Sequence, residues 1–387
     1  MLLRTRVSRR HFLGIGVALA AAVSLGLTCE PPPPSPPVSP RGRARGQRHL
    51  SWVWQFSRDG PPERVVSVLA QHDLGILLKT HDGTDWMSRY DASPYAISGP
   101  EQVAVLARYC ETYGVPFHAW CVVKGLEPKR EAEMCAQVIA AGARSLTIDV
   151  EPHGGFWQGT AQDALTFGRE FRRRQPNATL YVSVDPRPWV IARIPLAEFA
   201  SFAQGFAPQL YWETFDTSGN RRRFESSGFP VGEEGITPEF LLEMSRSLLR
   251  DYGSPIQPVG QGASEDSQAW RGFVDRAFAL GMGTVSVWRY GVTGGDVWRL
   301  LRDVGPPRPS RGVSAMVADT YSCLNVRERP TLSAPVRTCL PDGTGVAVRD
   351  GPVEADGYRW WLIEAEVTRG WSAEGEPDGV RWLVPLP

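Results

Sequence analysis

Asp149 and Glu151, in Ser145-Leu-Thr-Ile-Asp-Val-Glu-Pro152, are the residues of this chain best spaced to do chemistry. Leu146, Ile148 and Val150 alternate with Thr147, Asp149 and Glu151, the two-residue period of a strand. That period puts both carboxylates on one side, about 7 Å apart along the strand. Pro152 has no N–H for a neighbouring strand and ends the run. A carboxylate is costly to bury unless it is paired, and two at a strand end are what acid–base catalysis uses. An edge strand with a solvated face, or a structural ion pair, gives the same pattern without chemistry.

The elements that would position this pair repeat along the chain. Strand patterns fall at 50–55, 74–80, 116–122, 145–150, 180–184, 206–212, 256–259 and 284–288. Helical patterns lie between and after them, at 62–71, 100–113, 128–141, 161–175, 195–202, 238–252, 267–280 and 296–302, several opening on proline at its favoured first-turn position. Eight strand–helix units in about 255 residues is the arithmetic of a (β/α)8 TIM barrel, here 49–304. A doubly wound open sheet is the competitor, but no Gly-rich phosphate loop follows the first strand. A barrel brings its functional residues to the carboxyl ends of its strands. Lys79, His81, Asp149, Glu151, Asp185, Tyr211, Glu213 and Trp288 would converge there.

Residues 305–313, Gly305-Pro-Pro-Arg-Pro-Ser-Arg-Gly312 and the residue after it, form a linker. Residues 314–387 then show short strands, turn signals such as Pro341-Asp-Gly343, and four Trp, the pattern of a small all-β module. At the other end, Ser8-Arg9-Arg10-His11-Phe12-Leu13 makes 1–29 a twin-arginine export segment, and the apolar run that follows, Ile15 to Leu27, is too short for a comfortable membrane span. Cys29 stands where a lipid anchor could attach, which would tether the N-terminus to a membrane. Residues 30–48 are a stiff Pro-rich spacer followed by Arg41, Arg43, Arg45 and Arg48.

Charge and cysteine use narrow the partners. Formal charge is zero, but residues 1–48 hold 8 Arg and one Glu, leaving 34 basic and 41 acidic residues on the body. A mildly acidic body argues against nucleic acid. The 14 Trp offer flat apolar faces of the kind carbohydrate sites use, although core packing uses Trp too. Cys323 and Cys339 fall on adjacent predicted strands and suit a disulfide in an oxidising compartment. Cys110, Cys121 and Cys135 are odd in number: buried thiols, or a Cys110–Cys135 pair between helices. No spacing resembles a zinc site, and neither a metal nor another cofactor is expected.

Cys323-Leu-Asn-Val-Arg327, Pro335-Val-Arg-Thr-Cys-Leu-Pro-Asp-Gly343, Tyr358-Arg-Trp-Trp361 and Gly370-Trp371 resemble a bacterial SH3 domain. That resemblance implies association with cell-wall peptide or glycan. The barrel resembles the lysozyme-like glycoside hydrolases of family 25 and, more distantly, the family 18 chitinases. Leu77-Leu-Lys-Thr-His-Asp-Gly83 is similar to the second-strand segment of the former. Asp149-Val-Glu151 stands where both families keep Asp-x-Glu on strand four. Gln209-Leu-Tyr-Trp-Glu213 and Val287-Trp-Arg-Tyr290 stand where they place Tyr, acidic and Trp residues of the sugar site. Ser51-Trp-Val-Trp-Gln-Phe-Ser57 lacks the Asp that the muramidases carry on strand one, and Thr147 replaces an upstream Asp of the chitinase motif.

The resemblance implies an exported glycosidase acting on cell-wall glycan or another N-acetylated polysaccharide. Glu151, nearer the mouth, would be the general acid, and Asp149 beneath it would favour the protonated acid by like-charge repulsion. A substrate N-acetyl group could serve as nucleophile, oriented by Asp149 and Tyr211, with a sugar face stacked on Trp288. Each residue has a duller role open to it. Trp288 could plug the barrel, Lys79 could neutralise Asp149, Asp185 could be a turn residue before Pro186, and His118 could be a satisfied core histidine. A silent glycan-binding barrel is a second reading. A metal-dependent hydrolase or deacetylase built on His81, Asp149, Glu151 and His153 is a third. Sugar, linkage and oligomeric state are not legible in the sequence.

Overall fold

The computed structural model of the protein describes residues 48–264, 266–304, 308–317, 320, 322–375 and 381–385. The export segment, Cys29 and the proline-rich spacer before Arg48 lie outside the described residues, as do 305–307 of the linker. Eight parallel strands form the barrel of the first sheet, to which the two-residue strand Asp85–Trp86 adds an antiparallel ninth: β1 (Leu50–Val53), β2 (Gly75–Asp82), β3 (Phe117–Val122), β4 (Ser145–Asp149), β5 (Thr179–Val184), β6 (Gly205–Leu210), β7 (Val259–Gln261) and β8 (Ser286–Trp288). Each pairs with the next, and β1 pairs with both β2 and β8, so the sheet closes on itself. Closure excludes the open doubly wound sheet.

The principal helices are α1 (Pro62–Gln71), α2 (Pro100–Thr112), α3 (Pro128–Ala140), α4 (Ala161–Arg174), α5 (Leu196–Ala200), α6 (Pro238–Leu249), α7 (Ser267–Ala279) and α8 (Gly295–Asp303). Proline opens α1, α2, α3 and α6, where a missing N–H costs no intrahelical bond. Thr160 and Asp163 form a capping box on α4. That helix buries Ala164, Phe167, Gly168 and Phe171, one stripe at helical spacing. A side chain at position 168 would collide with the Phe202 ring, so glycine there sets how closely α4 approaches its neighbour.

Three predicted elements shift for identifiable reasons. The sixth strand stops at Leu210, because Tyr211 leaves the ladder and Trp212–Phe215 winds into a helical turn. The seventh moves from 256–259 to Val259–Gln261: Pro258 has no N–H for the ladder, and Ile256 keeps a single bridge to Phe206. The helix predicted over 238–252 ends at Leu249 and finishes as a 3-10 turn, Arg250–Tyr252, before left-handed Gly253.

The second sheet is antiparallel and has seven strands: β9 (Ser314–Val317), β10 (Leu324–Arg327), β11 (Val336–Leu340), β12 (Gly345–Ala355), β13 (Tyr358–Ala365), β14 (Thr368–Ala373) and β15 (Leu383–Pro385). Their order is β11-β10-β14-β13-β12-β9-β15. Val317, Leu324, Val326, Val348, Trp361, Ile363 and Leu383 belong to its core, a cluster distinct from the barrel's. Cys323 and Cys339 are disulfide-bonded, with Cα atoms 5.4 Å apart. Cys110, Cys121 and Cys135 are free thiols, so the alternative Cys110–Cys135 pair is not formed.

Candidate functional site

Strand alternation and register build the site in layers at the carboxyl ends of β4 to β8. In the first layer Asp149 on β4 is level with Ser183 on β5, and Gln209 comes from β6. All three are buried. The Gln209 amide nitrogen donates to Asp149 Oδ1 at 2.9 Å and to Ser183 Oγ at 3.0 Å, so one side chain ties three strands together.

Two residues further along each strand come Glu151 and Asp185. Glu151 is 2% exposed, with His153 Nε2 at 3.8 Å from its Oε2. Donor atoms of Glu151, His153 and Asp185 lie within 4.8 Å of one another. Asp185 also accepts from Arg187, from Nε at 2.9 and 3.1 Å, from Nη2 at 2.5 Å and from the backbone N–H at 3.1 Å. Its turn role and its place beside Glu151 are therefore compatible. The Arg187 guanidinium in turn sits 4.6 Å from the Phe215 ring centroid, which fixes its orientation.

The opposite wall is aromatic. Trp52, Trp120 and Trp288 form a mutual cluster with ring centroids 5.1–5.6 Å apart. Trp52 donates its indole N–H to Ser286 Oγ and Trp120 donates to the Val53 carbonyl. Trp52 and Trp120 are closed off from solvent, whereas Trp288 is only half-buried. Lys79 lies 4.8 Å above the Trp120 ring and bonds Asp82 at 3.1 Å. Asp82 also pairs with Lys124 at 2.7 Å. The ion pair seen at Lys79 is thus with Asp82.

On the β6 side, Tyr211 is buried with its ring 5.8 Å from Phe215. Glu213 stands exposed at the rim and accepts from Gln261 Nε2 at 2.9 Å and from the Ser264 hydroxyl. Gln261 Oε1 accepts from the backbone and hydroxyl of Thr214, so β7 braces the β6 turn. His118 donates to or accepts from Ser145 Oγ at 2.7 Å. Burial pushes its ring to about 3, which makes it the neutral interior histidine expected.

One predicted site residue is misplaced. Simple alternation puts His81 on the inner face with Lys79. The β2–β3 register breaks between them, pairing Lys79 with Trp120 but His81 with Cys121, so Thr80 is an extra residue. The bulge turns His81 to the outer face, fully buried against Cys135 and Trp86. His81 therefore neither lines the mouth nor joins Asp149, Glu151 and His153 in a metal set; Asp185 stands where it was expected. Ser183, Gln209, Gln261 and Arg187 were not foreseen as site residues. Ser183 and Gln209 sit two positions before Asp185 and Tyr211, so alternation alone could have found them.

No family model matches the chain, and no curated protein does. Among solved structures it is similar to the catalytic domain of a hyperthermophilic chitinase from Pyrococcus furiosus (14% identity, 68% of this chain, 95% of that one, TM-score 0.43). It is also similar to a GH18 chitinase from Pseudoalteromonas aurantia (10% identity, 67% and 100% covered, TM-score 0.45). A third is the Bacillus megaterium spore cortex-lytic enzyme SleL (11% identity, 68% and 75% covered, TM-score 0.42). Identities this low leave activity and substrate to the residues themselves.

Proposed function

We propose that the barrel is a glycoside hydrolase acting on an N-acetylated polysaccharide such as peptidoglycan, with Glu151 as general acid. The observation that carries this is the stacking of carboxylates at one strand end: Asp149 held by Gln209 beneath, and Glu151 beside Asp185 above. Glycosidic cleavage needs an acid to protonate the leaving oxygen and a second group to stabilise or attack the sugar carbon. Asp149, fixed in orientation, and Tyr211 would align a substrate N-acetyl group for that attack. Trp288 would stack on a sugar face, with Lys79, Asp185 and Glu213 contacting hydroxyls around it. In the same reading the C-terminal sheet is an SH3-like wall-binding module. The twin-arginine segment takes the protein out of the cytoplasm, with or without a lipid at Cys29.

A second reading has one observation in its favour. Glu151, His153 and Asp185 could hold a divalent ion for a metal-assisted hydrolase or deacetylase. The test is to incubate the full chain with insoluble wall material and follow reducing ends and acetate. Reducing ends that persist under a chelator, and that fall by about 10²–10⁴-fold in Glu151→Gln with wall binding kept, are the expected result. Full turnover in Glu151→Gln overturns the acid's role. Acetate release that a chelator stops establishes the metal reading, and binding without any product establishes a silent barrel.

A further inference from the structure

We propose that His81, Cys121 and Cys135 form a zinc site behind the β2–β3 edge, separate from the barrel mouth and not used by the glycosidase reading. The three come from three elements: His81 from β2, Cys121 from β3 and Cys135 from α3. Cys121 Sγ lies 3.6 Å from Cys135 Sγ, and Cys135 Sγ lies 3.6 Å from His81 Nε2. All three donor atoms fall within 4.8 Å of one another, and all three residues are buried. Zn–S bonds of about 2.3 Å and a Zn–N bond of about 2.0–2.1 Å at a tetrahedral angle separate two sulfurs by about 3.8 Å and sulfur from nitrogen by about 3.6 Å. The two observed edges match those of such a polyhedron.

The histidine is also turned the right way. When the Thr80 hydroxyl donates to the Trp120 carbonyl at 3.3 Å, it accepts from His81 Nδ1 at 2.9 Å, which selects the tautomer protonated on that nitrogen. Nε2 is left with its lone pair toward the sulfurs, the tautomer a metal ligand needs, set by a neighbour of the kind that orients ligating histidines. The bulge at Thr80 supplies both this hydroxyl and the outward turn of His81. Zinc binding as two thiolates would release two protons to solvent. The bound ion would pin two barrel strands to the helix behind them.

Cobalt(II), which takes zinc's place and reports its ligands by colour, tests the site. The full chain, reduced and stripped of metal, is titrated with cobalt(II) and then with zinc. The expected result is one cobalt per chain with a thiolate-to-cobalt charge-transfer band, displaced by zinc. The band should be lost in Cys135→Ser and His81→Gln and kept in Cys110→Ser, a thiol outside the cluster. Thr80→Val, which keeps all three ligands, should weaken binding by about 10–100-fold, and it remains a test if a ligand variant does not fold. A folded wild type without the band, a band that survives Cys135→Ser, or a Cys121–Cys135 disulfide in protein isolated without reductant overturns the proposal. None of these results depends on glycosidase turnover.

Discussion

Gln209 ties one of the site carboxylates to its neighbours, because its single amide nitrogen serves both Asp149 and Ser183 in the buried interior. Replacing it by leucine keeps most of the volume and removes the donor. A buried group that loses a hydrogen-bond partner costs about 1–3 kcal/mol. Gln209→Leu should therefore lose about that much in urea unfolding, and it should lower turnover with little change in wall binding. If Gln209→Leu unfolds at the wild-type urea concentration, the amide does not hold Asp149 in place. Glu151→Gln belongs to the same scale but has the opposite stability signature. It replaces one carboxyl of a crowded acidic layer with a neutral amide of nearly the same shape, so its thermal midpoint should hold or rise slightly while turnover collapses.

Among the elements, the loop between β3 and α3 is organised by one buried carboxylate. Glu131, in the first turn of α3, accepts the backbone N–H groups of Lys124, Gly125, Leu126 and Glu127 at 2.8–3.1 Å. Gly125 at φ +69 turns the chain there, with Trp157 close against it. Glu131→Gln swaps an acceptor oxygen for a donor pointing at donors, and bonds to a charged group are worth about 1.5–3 kcal/mol each. We expect a loss of at least about 2 kcal/mol, with faster amide exchange at Lys124 to Glu127, read by hydrogen exchange. Unchanged protection of those four amides would contradict this. Nothing in the sequence marks Glu131, because its partners are backbone groups of a loop without a motif. What was legible follows from local rules: the period-two runs, the first-turn prolines and the Asp149-x-Glu151 spacing each show in a few consecutive residues. What was missed needs neighbours distant in sequence. The Thr80 bulge depends on the register against β3, and the His81–Cys121–Cys135 cluster joins residues whose spacing fits no zinc motif. Pro258 was visible but was not allowed its effect on the seventh strand.

For the molecule as a whole, two hydrophobic clusters and one seam decide how it comes apart. The C-terminal sheet has its own core and a disulfide closing a separation of 16 residues, which constrains the unfolded chain by about 3 kcal/mol. Reduction should lower the melting of that sheet and leave the barrel's transition in place, as calorimetry with and without reductant would show. The barrel's seam lies where β1 begins, at His49. Its Nε2 donates to the Val304 carbonyl at 2.9 Å, its Nδ1 accepts the Val285 N–H at 3.2 Å, and its ring stacks on Phe278. The bond from Val285 requires an unprotonated Nδ1 and so the neutral ring, and burial lowers its pKa from 6.5 to about 4. Between those values the unfolded chain takes up a proton that the folded chain refuses. Stability contributed by this group is therefore fully present above pH 6.5 and lost as pH falls toward 4, on the order of 3 kcal/mol in all. His118, pushed to about 3 by burial, acts in the same direction, and so do the lowered carboxylates at still lower pH. The difference between wild type and His49→Gln isolates the seam. Urea unfolding from pH 7 to 4 should show the wild type losing stability faster than the variant, the gap narrowing as pH falls. Parallel curves would mean that His49 does not titrate with unfolding and that acid opens the barrel elsewhere.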